Sequence, residues 1–284
     1  MNRRLRKQLP ALLGMGGVLS ACIVGLGYMG FQAYGKATAD EYGCYADAPQ
    51  RQSVVLVDVS GPRFNEEQER SLRRYFDKLY SGLGFNERLS VITTAEDQIG
   101  SVPTPRLHVC GQASHPGELE AINAEAATSG FLARQKERLY EKRFGPAIAE
   151  LLSPQSNSQQ RFQSPILEMI QGIRQFHPLR EGDRLIVVSD LIQNSDSVQF
   201  CRTRNDMPPF RVFAKRPVYR HLKPESLEGI DVEVLMIQRQ GYGHDIYAYC
   251  YGEEELRKFW RDYLIANGVA NPGFVRIRMG ITKG

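Results

Sequence analysis

The run Ser53-Val54-Val55-Leu56-Val57-Asp58 constrains the fold more than any other stretch of this chain. Successive side chains of a strand point to opposite faces, so a run that is apolar at every position is buried on both. Such strands belong to parallel sheets covered by helices. A second run, Asp183-Arg184-Leu185-Ile186-Val187-Val188-Ser189-Asp190, has the same form and also ends in an aspartate. Open sheets of this kind hold ligands beyond the carboxyl ends of their strands. The reading therefore predicts Asp58, Ser60 and Asp190 together on one rim, with Asp58 and Ser60 followed by a Gly61-Pro62 turn.

The intervening pattern alternates helices with strands. Asn65 opens a helix with early acids, and Leu72, Tyr75, Phe76, Leu79 and Tyr80 follow at helical spacing until Gly82 and Gly84 end it. Leu89–Thr94 and Arg106–Cys110 read as strands, and Pro103 and Pro105 before the second fit a loop or an edge position. Residues 118–152 form a long helical insertion that Gly130 and Gly145-Pro146 should divide or kink. Ser164 is placed as the N-cap of the next helix, with Pro165 in its first turn. Residues 193–224 form a long Pro-containing loop; a strand at Ile230–Gln238, a helix at Glu253–Asn267 and a strand at Phe274–Met279 complete the chain. The fold class is α/β: a doubly wound, mostly parallel central sheet flanked by helices.

The N-terminus reads separately. Arg3, Arg4, Arg6 and Lys7 equal the whole formal net charge of +4, leaving 32 basic against 32 acidic side chains. A balanced body argues against nucleic acid as a partner. Residues 11–31 then carry no charge, and roughly 20 apolar residues suffice for a transmembrane helix. The basic residues 1–10 place the N-terminus in the cytoplasm. The expected layout is a single-pass anchor at 11–31 in a bacterial inner membrane, a stalk at 32–50, and a periplasmic or otherwise extracytoplasmic domain at 51–284. Leu19-Ser20-Ala21-Cys22 also resembles a lipobox, which offers a lipoprotein acylated at Cys22 as the alternative.

Four further cysteines fit an exported domain, where disulfides persist. The expected pairs are Cys44–Cys110 and Cys201–Cys250, each tying a peripheral loop to a nearby element. No CxxC or CxxxH spacing points to zinc.

With these residues in hand, the chain resembles the von Willebrand factor A (vWA) family, an α/β fold that carries a metal-ion-dependent adhesion site. Asp58 and Ser60 match the family's Asp-x-Ser-x-Ser loop, with Pro62 in place of the second serine. Ser164-Pro165 resembles the threonine that opens the second loop, and Asp190 matches the third, with Leu191 where glycine often stands. The resemblance spans roughly residues 51–284. It implies Asp58, Ser60, Ser164 and Asp190 as ligands of Mg2+ or Mn2+, hard cations that prefer oxygen. It further implies a protein partner whose carboxylate completes the metal site, with the 118–152 region and the 193–224 loop shaping the partner surface. The resulting expectation is a membrane-anchored binding module and not an enzyme. The alternative is a metal-free structural subunit of an envelope assembly such as a secretion or transfer apparatus, and a third reading is a metal-dependent hydrolase. No G-x-S-x-G elbow or P-loop occurs, and Ser60 stands where an aspartyl-phosphate phosphatase needs a second aspartate. The five histidines are scattered, and Tyr242, Tyr247, Tyr249 and Tyr251 read as sheet cover.

Overall fold

A computed structural model describes residues 35–60, 64–94, 102–153, 163–200, 207–238 and 252–278. Its centre is a six-stranded sheet made of β1 (Gln52–Val57), β2 (Arg88–Thr93), β3 (Leu107–Cys110), β4 (Arg184–Ser189), β5 (Asp231–Ile237) and β6 (Gly273–Ile277). The strand order is β3-β2-β1-β4-β5-β6. All neighbours run parallel except β3, which lies antiparallel on β2. The chain starts in the middle and builds outward both ways, so the order reverses between β1 and β4. Ligands of open α/β sheets gather at that crevice.

The uninterrupted apolar runs follow from two buried faces. Val54 and Leu56 of β1 join Leu185, Val187, Val232 and Val234 on one face, under α5 (Ile166–Phe176) and α8 (Glu253–Ala266). Val55 and Val57 join Ile186, Val188, Leu235 and Ile237 on the other, under α1 (Glu66–Ser81) and α4 (Gly145–Leu152). Each such side chain removed from water contributes about 1.5–3 kcal/mol. Helix α1 begins with a reciprocal cap, Asn65 accepting from Gln68 N and Gln68 from Asn65 N, and its buried stripe includes Leu72, Phe76, Leu79 and Tyr80.

The 118–152 region departs from the expectation at Gly130 and follows it at Gly145-Pro146. Helix α2 (Pro116–Ala121) stops before a break at 122–128, and Thr128 caps α3 (Ser129–Leu139), so Gly130 falls within the first turn of α3. One wide turn, Tyr140–Phe144, then leads straight into α4. Its closing bond runs from Gly145 N to Tyr140 O, five residues back. Pro146 has no N–H to continue the ordinary ladder, and single wide turns of this kind absorb such a loss. The turn stacks Phe144 on Tyr80 at 4.7 Å between ring centroids, while Tyr80 donates to Lys136 O at 2.8 Å.

The described parts of the 193–224 excursion, 193–200 and 207–224, send side chains into the core and are not an open loop. They carry two short helices, α6 (Phe210–Phe213) and α7 (Tyr219–Leu222). Phe200, Phe210, Phe213 and Tyr219 are buried and meet Phe259 and Tyr263 of α8 edge to face. Aromatic pairs favour that geometry because a ring's positive edge meets its neighbour's negative face.

Residues 40–50, within the expected stalk, are tied to the domain. Asp40 Oδ1 accepts from Tyr42 N and Cys44 N, and Cys110 N at the outer edge of β3 donates to Tyr42 O at 3.0 Å. Cys44 and Cys110 form a disulfide, as expected from the sequence. Buried Asn86, at a φ of 55°, receives Tyr45 N and Gln50 Nε2 and donates to Tyr45 O and Pro49 O. Gly43, at a φ of 77°, has Gln112 Nε2 where a Cβ would sit, 2.0 Å away.

The membrane reading is corrected. Among the described residues no helix is long and apolar enough to cross a membrane. The structure therefore gives no support to a single-pass inner-membrane topology or to a membrane partner through an N-terminal helix. The proposed span at 11–31, the lipobox cysteine Cys22, Cys201, Cys250 and the tyrosines at 242–251 lie outside the described residues.

Candidate functional site

Asp58 leaves the end of β1 with its carboxylate inside the protein, 3% exposed. Residues on four segments converge on it. Ser60, two positions on, donates to Asp58 Oδ1 from its hydroxyl at 2.5 Å and its backbone N–H at 3.0 Å. Thr94, just past β2, adds its hydroxyl at 2.9 Å to the same oxygen. The other oxygen, Oδ2, receives Ser164 Oγ at 2.7 Å and Ser189 Oγ, from the end of β4, at 2.8 Å. The sheet register explains two of these. Val57 stands level with Thr93 and with Val188, so the residues that follow each of them stand beside Asp58.

Four hydroxyls and one N–H meet a carboxylate that offers about four lone-pair sites, so its acceptor capacity is filled. The hydroxyls have other work too: Thr94 Oγ1 accepts from Val59 N, and Ser189 Oγ from Leu191 N. A hydroxyl whose proton points at Asp58 directs its lone pairs elsewhere, whereas a cation needs the lone pairs of every ligand aimed at one point. The remaining expected ligand, Asp190, is also buried, but its Oδ1 accepts from Ile192 N at 3.1 Å. Asp190 lines a separate small pocket of about 100 Å³ with Met236, Gln238, Glu253 and Arg276.

The metal expectation is therefore corrected. Asp58, Ser60 and Ser164 meet, but as a closed hydrogen-bonded ring. Among the described residues no three His, Cys, Asp or Glu side chains stand together in a way that could hold a metal ion. Neither Mg2+ nor Mn2+ is supported, and there is no metal for a partner's carboxylate to complete. Ser164 also departs from its expected role as an N-cap. Its hydroxyl is spent on Asp58, and Gln193 Oε1 instead accepts from Leu167 N in the first turn of α5 at 2.9 Å. Gln193 is itself held by Glu168, through a bond from its Nε2 at 2.8 Å.

The position after Asp190 shows how the rim is built. Leu191 has a φ of 67°, the left-handed region that glycine enters freely and leucine does not. The conformation is secured on three sides. Leu191 N donates to Ser189 Oγ, Leu191 O accepts from Trp260 Nε1 at 2.9 Å, and the side chain is wholly buried. Thr94, Ser189, Gln193 and Trp260 were not singled out from the sequence. The first two are hydroxyls at strand ends next to β1, a signal that becomes readable once strand order is known.

A second polar cluster lies at the opposite end of the sheet. Glu87, 5% exposed, accepts from Ser53 Oγ at 2.6 Å, from Gly84 N at 2.9 Å and from the Arg184 guanidinium. Burial pushes this carboxyl up, but those hydrogen bonds and the arginine's charge outweigh it and hold Glu87 below the ordinary carboxylate value.

No family model matches the chain, and no curated protein matches it either. Among solved structures, the chain is similar to the crystal structure of an aerotolerance-related membrane protein from Bacteroides fragilis carrying multiple mutations to serines. The two share 16% identity over 80% of this chain and 92% of that one, with a TM-score of 0.32. The likeness is remote in sequence and weak in geometry.

Proposed function

We propose that this chain is a metal-free scaffold of vWA-like type, a structural subunit of a bacterial envelope assembly that works by binding protein and not by catalysis. The observation that carries the reading is the filled carboxylate of Asp58. Five donors from the chain itself complete it, so the rim where β1 meets β4 is locked by internal bonds. Supporting the vWA-like reading, Asp58 follows β1, Ser164 precedes α5 and Asp190 follows β4, the order of the three family loops. Supporting an extracytoplasmic setting, the Cys44–Cys110 bond is of a kind that persists in oxidising compartments.

The test is the chain's behaviour in its own envelope fraction, solubilised mildly and resolved by native electrophoresis. The expected result is migration in a complex larger than the chain alone, unchanged by chelator or by added Mg2+ or Mn2+. A complex that dissolves on chelation, or purified protein whose thermal midpoint rises with either cation, would overturn the metal-free reading. A chain that migrates only by itself would overturn the scaffold reading.

A further inference from the structure

The segment that carries α6 and α7 differs in charge from the rest of the chain. No acidic residue stands between Asp206 and Glu225, yet Arg211, Lys215, Arg216, Arg220 and Lys223 all fall there. Elsewhere the surface interleaves its charges. Arg70, Arg73 and Arg74 of α1 pair with Glu66, Glu67 and Glu69, and on α8 Arg257 pairs with Glu254 and Lys258 with Asp262. Among the described residues, none of the five cations of the α6–α7 segment has such a partner. The stretch 201–206, outside the described residues, holds Arg202, Arg204 and Asp206, so its sequence adds to the positive charge and does not offset it. Packing sets the five cations on the outside. Phe210, Phe213, Tyr219 and Leu222 are buried, and Tyr219 is tied to Asn267 by its hydroxyl, while Arg211, Lys215, Arg216, Arg220 and Lys223 are exposed. Bonds from Lys215 N to Val212 O, Arg216 N to Phe213 O and Tyr219 N to Arg216 O fix the turn between the two helices. Like charges held on a fixed backbone repel one another, and an opposite charge set against them relieves that repulsion.

Building on the protein-binding role, we propose that this basic ridge docks an acidic segment of a protein partner, a short run rich in Asp and Glu. Three of the five cations are arginines, whose planar fork takes a carboxylate through two parallel N–H bonds. Val212, between Arg211 and Lys215 in sequence, is 46% exposed and adds an apolar contact to the charged ones. The ridge is also bounded. Glu225 and Glu228 stand exposed just beyond Lys223. An extended anionic surface, whether a bilayer or a nucleic acid, would bring its own charge against them, whereas a short acidic segment ends before it reaches them. The balanced charge of the remaining body favours the short segment for the same reason. Attraction of this kind steers a partner to its site and weakens as salt rises.

The test uses the full chain in non-ionic detergent and a fluorescein-labelled, glutamate-rich peptide, followed by fluorescence anisotropy over a range of salt. The wild type is expected to bind, and the triple variant Arg211→Glu, Arg216→Glu, Arg220→Glu to bind about tenfold or more weakly, as like charges then face each other. The same change of charge at exposed Arg134→Glu, Arg138→Glu and Lys142→Glu, on α3 and the turn after it, should leave binding unchanged. Both variants should keep the wild-type thermal midpoint, since every altered side chain is exposed. In the envelope fraction, the ridge variant should leave the larger complex on native electrophoresis and the α3 variant should stay in it. Carbodiimide, which joins an amine to a carboxylate, should link Lys215 or Lys223 of the complexed wild type to an Asp or Glu of the partner, identified by mass spectrometry. Equal loss of peptide binding in both variants, or stronger displacement of the peptide by phosphatidylglycerol-doped micelles or by a single-stranded oligonucleotide, would overturn the proposal. A complex indifferent to the ridge variant would also overturn it and leave the scaffold reading standing. If the wild type forms no complex the scaffold reading fails, and the peptide titration still decides for or against the ridge.

Discussion

Ser164 Oγ lies 2.7 Å from Asp58 Oδ2 although 106 residues separate the two in the chain. The bond joins the entry to α5 with the end of the central strand, and both residues are buried. It makes the rim of the sheet a single hydrogen-bonded unit whose centre is Asp58.

Removing that centre strands its partners. Asp58→Ala leaves four hydroxyls facing a void without an acceptor, and should cost about 2–4 kcal/mol in urea unfolding. Asp58→Asn retains one acceptor oxygen and should cost about half as much. Equal losses for the two variants would mean that the ring does not depend on its acceptors.

The disulfide joins residues 66 apart in sequence. In the chain-entropy picture, closing a loop of that length removes about 4 kcal/mol from the stability of the unfolded ensemble. Cys44→Ser with Cys110→Ser should lose stability of that order, and amide exchange should rise first at 40–45 and 107–110. Loss spread evenly over the whole sheet would contradict a locally acting tie.

Glu87 supplies a pH signature. Its carboxyl is held below the ordinary value in the folded protein, so the folded state binds fewer protons there than the unfolded one. The stabilisation is present above the unfolded carboxyl value, roughly pH 4.3, and is lost as pH falls through the lower folded value. Glu87→Gln should cost about 1–3 kcal/mol at pH 7, and as pH falls through that window its stability should drop less steeply than the wild type's. Parallel acid profiles for the two proteins would remove Glu87 from the account.

Leu191 predicts an inverted ranking. At most buried sites alanine is tolerated better than glycine. At a φ of 67°, however, glycine escapes a strain of about 1–2 kcal/mol that leucine and alanine both carry. Leu191→Ala should therefore unfold more easily than Leu191→Gly, though both fall below wild type through the lost side chain. The ordinary order in denaturant would show that the backbone relaxes on substitution.

Much of the framework is legible in the residues themselves. Val54 to Val57 and Leu185 to Val188 are apolar at every position because both faces of the sheet are covered. Asp58 and Asp190 mark the strand ends because apolar burial stops there. What escapes notice are bonds between distant polar groups, which leave no periodic trace. Nothing local to Gln193 announces that its amide holds the first turn of α5, or that Ser164 is thereby released to Asp58. Residues 40–50 look like a loose connector because few apolar side chains recur there, and their attachment comes from one disulfide, the bond from Cys110 N to Tyr42 O and the amide of Asn86. The metal reading failed for a related reason. The residue types on the rim suit a cation, but their orientation suits a carboxylate.

The strap along β3 has a consequence for growth. Sheets that add strands edge to edge become fibres only when both flanks of each unit accept a neighbour, since every addition must renew the site for the next. Here the Cys110 end of one flank is taken by the backbone of Tyr42, and a covalent bond fixes that contact. A strand arriving at that end would first have to displace the Cys110–Tyr42 bond, which the disulfide holds in place.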